Sequence, residues 1–123
     1  MTQQDKELLL RDLCARVPYH PRGRVVNNRN GAACDEFLTC ATFSMFTNVT
    51  NNSRLYLRPM SSMTEEEFKD YDALFYIHSD GETYCENWEW MDWMNAHHFD
   101  FRNLIEKGLA LKAPTNMYKP EQL

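Results

Sequence analysis

Apolar positions near the N-terminus recur with helical spacing: Leu10, Leu13, Cys14 and Val17 fall at i, i+3, i+4 and i+7. This predicts a helix over residues 3–16, ended by Pro18, which disfavours helical geometry at Val17. The stretch "YHPRGRVVNNRNGAACDE" then reads as loop, with room for a short strand at "RVV". Residues 37–47, "FLTCATFSMFT", are rich in β-branched and aromatic side chains and predict a strand. Phe37, Phe43 and Met45 would lie on one side and Leu38, Cys40 and Phe46 on the other, so both faces would be covered. "NVTNNS" is a turn cluster, and "RLYLR" a short strand stopped by Pro59.

"SSMTEEEFKDY" carries the clearest local signal. Thr64 and Glu67 have the spacing of a capping box, and Phe68, Tyr71 and Phe75 supply a stripe to bury. Asp80-Gly81 between aromatic-rich arms predicts a two-residue hairpin turn, which would place Ile77 opposite Tyr84. "NWEWMDWMNAHH" reads as a helix capped by Asn87. "FRNLIEKG" reads as another, with Asp100 as its cap and Gly108 in the left-handed position after it. The tail from Leu109 is expected to be extended and to pack on the domain. The pattern predicts one α+β domain over residues 1–123, a small antiparallel sheet that includes the hairpin, packed with three to four helices.

Composition adds bounds. A chain of 123 residues, 43 % hydrophobic and 25 % charged, is an ordinary globular domain able to bury a core. No apolar run approaches the ~18 residues of a membrane helix, and "MTQQDKELLLRDL" lacks the apolar centre of a signal peptide. A cytoplasmic protein without membrane association is expected, which leaves the sequons at Asn48 and Asn51 without consequence. Cys14, Cys34, Cys40 and Cys85 form no C-x-x-C and are expected to be buried apolar residues rather than disulfides. The net charge of −5 is unevenly spread. Arg11, Arg16, Arg22, Arg24 and Arg29 face one acid, Asp12, over residues 11–29, whereas residues 64–106 hold twelve acids against Lys69 and Arg102. The bland reading is two solvated surfaces, and the sharper one is a basic loop on an acidic body.

In "NAHHFDF", His97 and His98 are adjacent, so on a helix they project about 100° apart and do not aim at one ion. They are weak metal candidates. His97 reads as a core histidine, and His98 as a ring whose protonated form suits the helix C-terminus. A zinc site built from Cys40, His78, Cys85 and His97 finds no support in spacing, and no nucleotide-binding or hydrolase motif is present. No cofactor and no catalytic residue are expected. Trp90 and Trp93 share the apolar helical face with Met94 and His97, while Trp88 faces away, either covering the hairpin or standing exposed for a partner. Trp88 with Glu65, Glu66, Glu89 and Asp92 is the candidate protein-interaction set. Tyr19, Arg22, Arg24 and Arg29 are the candidate nucleic-acid set, with charge for phosphates and a ring to stack a base. The bland alternative is a solvated loop, since the overall pI of 5.3 is acidic.

"LLLRDLCARVPY", "YLRPMSSMTEEE" and "DWMNAHHFDFRNLIEKGLALKAP" resemble segments of a family of short uncharacterised proteins of gut Bacteroidales genomes and their prophages or mobile elements. The likeness covers residues 7–19 and 56–118, while residues 20–54 depart from the family pattern. It implies a bacterial or phage cytoplasmic protein and no particular activity. Together these readings lead to the expectation of a non-enzymatic protein-interaction module with an unknown partner. The alternatives are a nucleic-acid-binding accessory protein working through residues 19–29, or a small metal-dependent hydrolase using His97 or His98.

Overall fold

The computed structural model describes residues 2–26, 30–47, 53–77, 81, 83–84 and 86–119. Helix α1 spans Gln3–Arg16 and begins in a capping box between Thr2 and Asp5. Pro18 sits in a 3-10 turn over Val17–Tyr19 that ends the helix. Strands β1 (Arg22–Val26) and β2 (Ala33–Phe37) form an antiparallel hairpin, and helix α2 (Phe43–Thr47) follows. Strand β3 (Arg54–Leu57) leads through a 3-10 turn to α3 (Glu65–Asp72). A small ribbon of β4 (Tyr76–Ile77) and β5 (Thr83–Tyr84) precedes α4 (Asn87–Ala96), and β6 (Leu111–Lys112) lies in the tail.

The architecture is α+β, with a four-stranded sheet in the order β2-β1-β3-β6. The sheet is mixed rather than purely antiparallel, because β6 runs parallel to β3 with Tyr56 opposite Leu111. Parallel neighbours need a long crossover, and here it contains α3, the ribbon and α4. The ribbon stands apart as a second sheet.

Strand alternation divides the faces of the main sheet. Leu55 and Leu57 are buried against Leu9 and Leu13 of α1 and Phe46 of α2, with Leu38, Leu104 and Leu109 completing the core. Each fully buried Leu or Phe contributes roughly 1.5–3 kcal/mol. Gly23 allows α2 to approach the sheet. A Cβ there would run into the Phe46 ring and lie 2.9 Å from the Arg54 carbonyl oxygen.

Several sequence expectations are corrected. The buried face of α1 carries Leu9, Asp12, Leu13 and Arg16, while Leu10 and Cys14 are exposed. Two polar residues hold that face because they are paired: Asp12 accepts from Arg16 Nε at 2.8 Å and from Arg102 Nη1 at 2.6 Å, and Arg16 Nη2 donates to the Phe99 carbonyl at 2.8 Å. The strand expected over 37–47 ends at Phe37, and the chain turns into α2. Thr39 and Thr42 cause this, each hydroxyl accepting the other's backbone N–H at 2.9 and 3.3 Å, a local bonding pattern that competes with a sheet ladder.

The ribbon pairs Ile77 with Thr83 instead of Tyr84, so its loop is longer than two residues. Asp80, His78 and Cys85 lie outside the described residues. Phe68 is exposed, and the residue α3 buries is Glu67. Glu86, not Asn87, occupies the cap position of α4. The helix expected after Asp100 is replaced by turns. Asn103 adopts a φ of 59°, and the Asp100 carboxylate accepts from the Leu104 and Ile105 N–H groups at 2.8 and 3.0 Å. Gly108 is left-handed as expected, with φ 75°. Cys14, Cys34 and Cys40 are free and exposed rather than buried.

Candidate interaction surface

Helix α4 is set by a polar clamp. Arg58, beyond the end of β3, donates from Nη1 and Nη2 to the two Glu67 oxygens at 2.7 and 2.5 Å, a bidentate geometry specific to arginine. The Glu67 oxygen bonded by Nη1 also lies 3.0 Å from His97 Nδ1. Burial alone would raise the Glu67 pKa, but Arg58, the Thr64 backbone N–H and His97 outweigh it and hold the carboxyl at about 2. The expected capping box thus has a second task, since Glu67 serves Thr64 and Arg58 with one side chain. Trp93 stacks on His97 with ring centroids 4.1 Å apart, and Arg58 lies over the Phe99 ring at 4.3 Å.

His97 is a structural ligand of Glu67. His98 is buried in a left-handed conformation and stacks on Tyr118 at 4.0 Å. Burial, with the nearby charges of Arg16, Arg58 and His97, lowers its pKa to about 3, so the ring is neutral. The expectation of a protonated His98 at the helix end is therefore corrected. Among the described residues no three His, Cys, Asp or Glu side chains are grouped to hold a metal ion.

Trp90 and Trp93 turn inward, Trp90 against Phe101 and Tyr71. Trp88 does not, being 63 % exposed. Residues 88, 89, 92 and 96 share one face of α4, with Trp93 at its inner edge. With Tyr19 from the turn after α1, and Ala73 and Leu74 after α3, they line an open groove of about 660 Å³. Burial first, then the neighbouring Asp92 carboxylate, raises the pKa of Tyr19. Glu89 and Asp92 form no ion pair among the described residues.

The structure thus brings Trp88, Glu89 and Asp92 together and adds Tyr19, which the sequence had grouped with the arginines. Glu65 and Glu66 do not join them. They begin α3, about 12 Å along its axis from Ala73 and Leu74, and Glu65 borders a separate shallow groove with Phe68.

The arginine set is divided. Arg22 and Arg24 belong to β1, not a loop, and Arg29 lies outside the described residues. Arg24 is exposed opposite Asp35, and Arg22 lies over the exposed Phe37 ring at 5.5 Å. Tyr56 shares this face, and its pKa is raised by burial and by Asp35. Tyr118, which sequence patterning did not single out, crosses from the tail. Its hydroxyl takes the Arg22 N–H at 2.6 Å and faces the Tyr56 carbonyl oxygen at 2.9 Å, bridging β1 and β3.

No family model matches the chain, and neither the curated proteins nor the solved structures gave a match.

Proposed function

We propose that the chain is a non-enzymatic protein-interaction module of a phage or bacterial mobile element, acting in the cytoplasm, and that it docks its partner in the Trp88 groove. The observation that carries this reading is an exposed tryptophan lining an open groove with Tyr19, Trp93 and Leu74. Tryptophans in such settings supply a large share of binding energy. The test compares proteins retained from host lysate by wild-type protein, Trp88→Ala and Arg24→Ala on a matrix. A protein retained by wild type and Arg24→Ala but lost with Trp88→Ala supports the reading. Identical retention by all three counts against it.

A second reading is favoured by the pairing of Arg22 with Phe37 beside Arg24 and Tyr56 on one sheet face. Cations interleaved with rings are what a single-stranded nucleic acid needs. It predicts salt-sensitive binding of labelled single strands that weakens in the Arg22→Ala/Arg24→Ala variant. Binding unchanged by that variant would sink it.

A further inference from the structure

The Trp88 groove has a chemistry of its own. Its walls are Tyr19, Trp88 and Trp93 with Leu74, and its charged groups are the carboxylates of Glu89 and Asp92. Those two carboxylates lie on the same helical face as Trp88 and have no cationic partner among the described residues. Such a surface repels phosphates. It also disfavours a purely apolar occupant, which would strip water from two carboxylates and offer nothing in return.

A cation resolves both problems. Aromatic faces attract it through their quadrupoles, and the carboxylates supply charge and hydrogen-bond acceptors. Arginine fits better than lysine. Its guanidinium is flat, weakly hydrated and able to stack on an indole while donating sideways to a carboxylate. Arg58 meets the same combination inside this protein, lying over Phe99 while bonding Glu67 with both nitrogens. There the acceptor is buried, whereas in the groove Asp92 is exposed and Glu89 is partly so.

Resting on the docking function proposed above, we infer that the groove takes an arginine side chain from a basic segment of the partner protein, stacked on Trp88 and bonded by Glu89 and Asp92. The groove is larger than one side chain, so neighbouring residues of that segment lie along Leu74 and Ala96.

The experiment titrates isotope-labelled full-length protein with short blocked peptides Gly-Ala-X-Ala-Gly, where X is Arg, Lys, Gln or Glu, and follows the tryptophan indole N–H resonances. The arginine peptide is expected to move the Trp88 resonance saturably, the lysine peptide less tightly, and the other two not at all. Glu89→Gln/Asp92→Asn keeps the shape and removes the charge. It should weaken the arginine peptide by about tenfold or more, the usual scale for losing one good charged contact. Both positions are on the surface, so melting temperature serves as the folding check.

A glutamine peptide that binds as well as the arginine peptide, or binding unchanged in the double variant, would overturn the inference. A lysine peptide as tight as the arginine peptide would overturn the stacked geometry. The docking function fails separately. If partner retention is lost with Trp88→Ala but persists in Glu89→Gln/Asp92→Asn, docking stands and the arginine falls. If Trp88→Ala retains the same proteins as wild type, the docking reading itself falls.

Discussion

His98 should make folding stability depend on pH well above the carboxylate range. Its ring is 4 % exposed, and its Nδ1 has no hydrogen-bond partner among the described residues. Burial, and then Arg16, Arg58 and His97, oppose its protonation and lower its pKa from 6.5 to about 3. A depressed pKa means that the unfolded chain binds the proton first. The stability is therefore fully present above about pH 6.5 and is lost as pH falls toward 3. For these two pKa values, going from pH 7 to pH 5 costs about 2 kcal/mol. The expected signal is a fall of about 1 M in the urea midpoint, for a slope of about 2 kcal/mol per M.

The assay is urea unfolding followed by tryptophan fluorescence at both pH values, for wild type and His98→Phe. Phenylalanine keeps a ring on Tyr118 and cannot be protonated. Its strain in the left-handed conformation shifts both curves equally, so the comparison rests on the pH difference alone. Wild type should lose about 2 kcal/mol and His98→Phe less than about 0.5 kcal/mol. An equal loss in both proteins would refute the assignment to His98.

Four further outcomes are expected. Removing Arg58 by Arg58→Ala leaves Glu67 buried without its main partner and should cost about 3–5 kcal/mol in urea unfolding. The Arg58→Met/Glu67→Leu pair should cost clearly less. Glu67 itself adds a second acid transition. Its carboxyl, held at about 2 against an ordinary 4.5, gives stability present above pH 4.5 and lost as pH falls toward 2, about 2 kcal/mol after allowance for solvent screening; Glu67→Gln should remove it. Tyr118→Phe deletes the hydroxyl that takes the Arg22 N–H and should cost about 1–3 kcal/mol, with faster amide exchange at Arg22. Gly23→Ala should cost at least about 1–3 kcal/mol, because the new Cβ meets the buried Phe46 ring and the Arg54 backbone carbonyl.

What could be read from the sequence was local. The Thr64–Glu67 box and the ends of α1 rest on residues a few positions apart, and both were legible. Helical geometry turned Trp88 away from Trp90 and Trp93 but left open whether it covers the hairpin or stands exposed, and the fold exposes it. Pairings across the chain were not legible. Asp12 reads as a solvated acid until Arg102 is folded against it, and Glu67 reads only as a cap until Arg58 reaches it. The strand misread over 37–47 shows a different limit. β-branched and aromatic residues suit a pleated surface, but threonines at i and i+3 can bond each other's backbone and start a helix instead. The candidate groove was half visible for the same reasons. Trp88, Glu89 and Asp92 share one helix, whereas Tyr19 joins them only through the tertiary fold.

The most direct test of the docking function places a photoreactive phenylalanine analogue at position 88, and separately at exposed Arg24, in protein expressed in a host cell. One recurrent crosslinked protein is expected at position 88 and absent at position 24, and its crosslinked segment is expected to contain arginine. Adducts at position 24 alone, or none at position 88, would contradict the docking function.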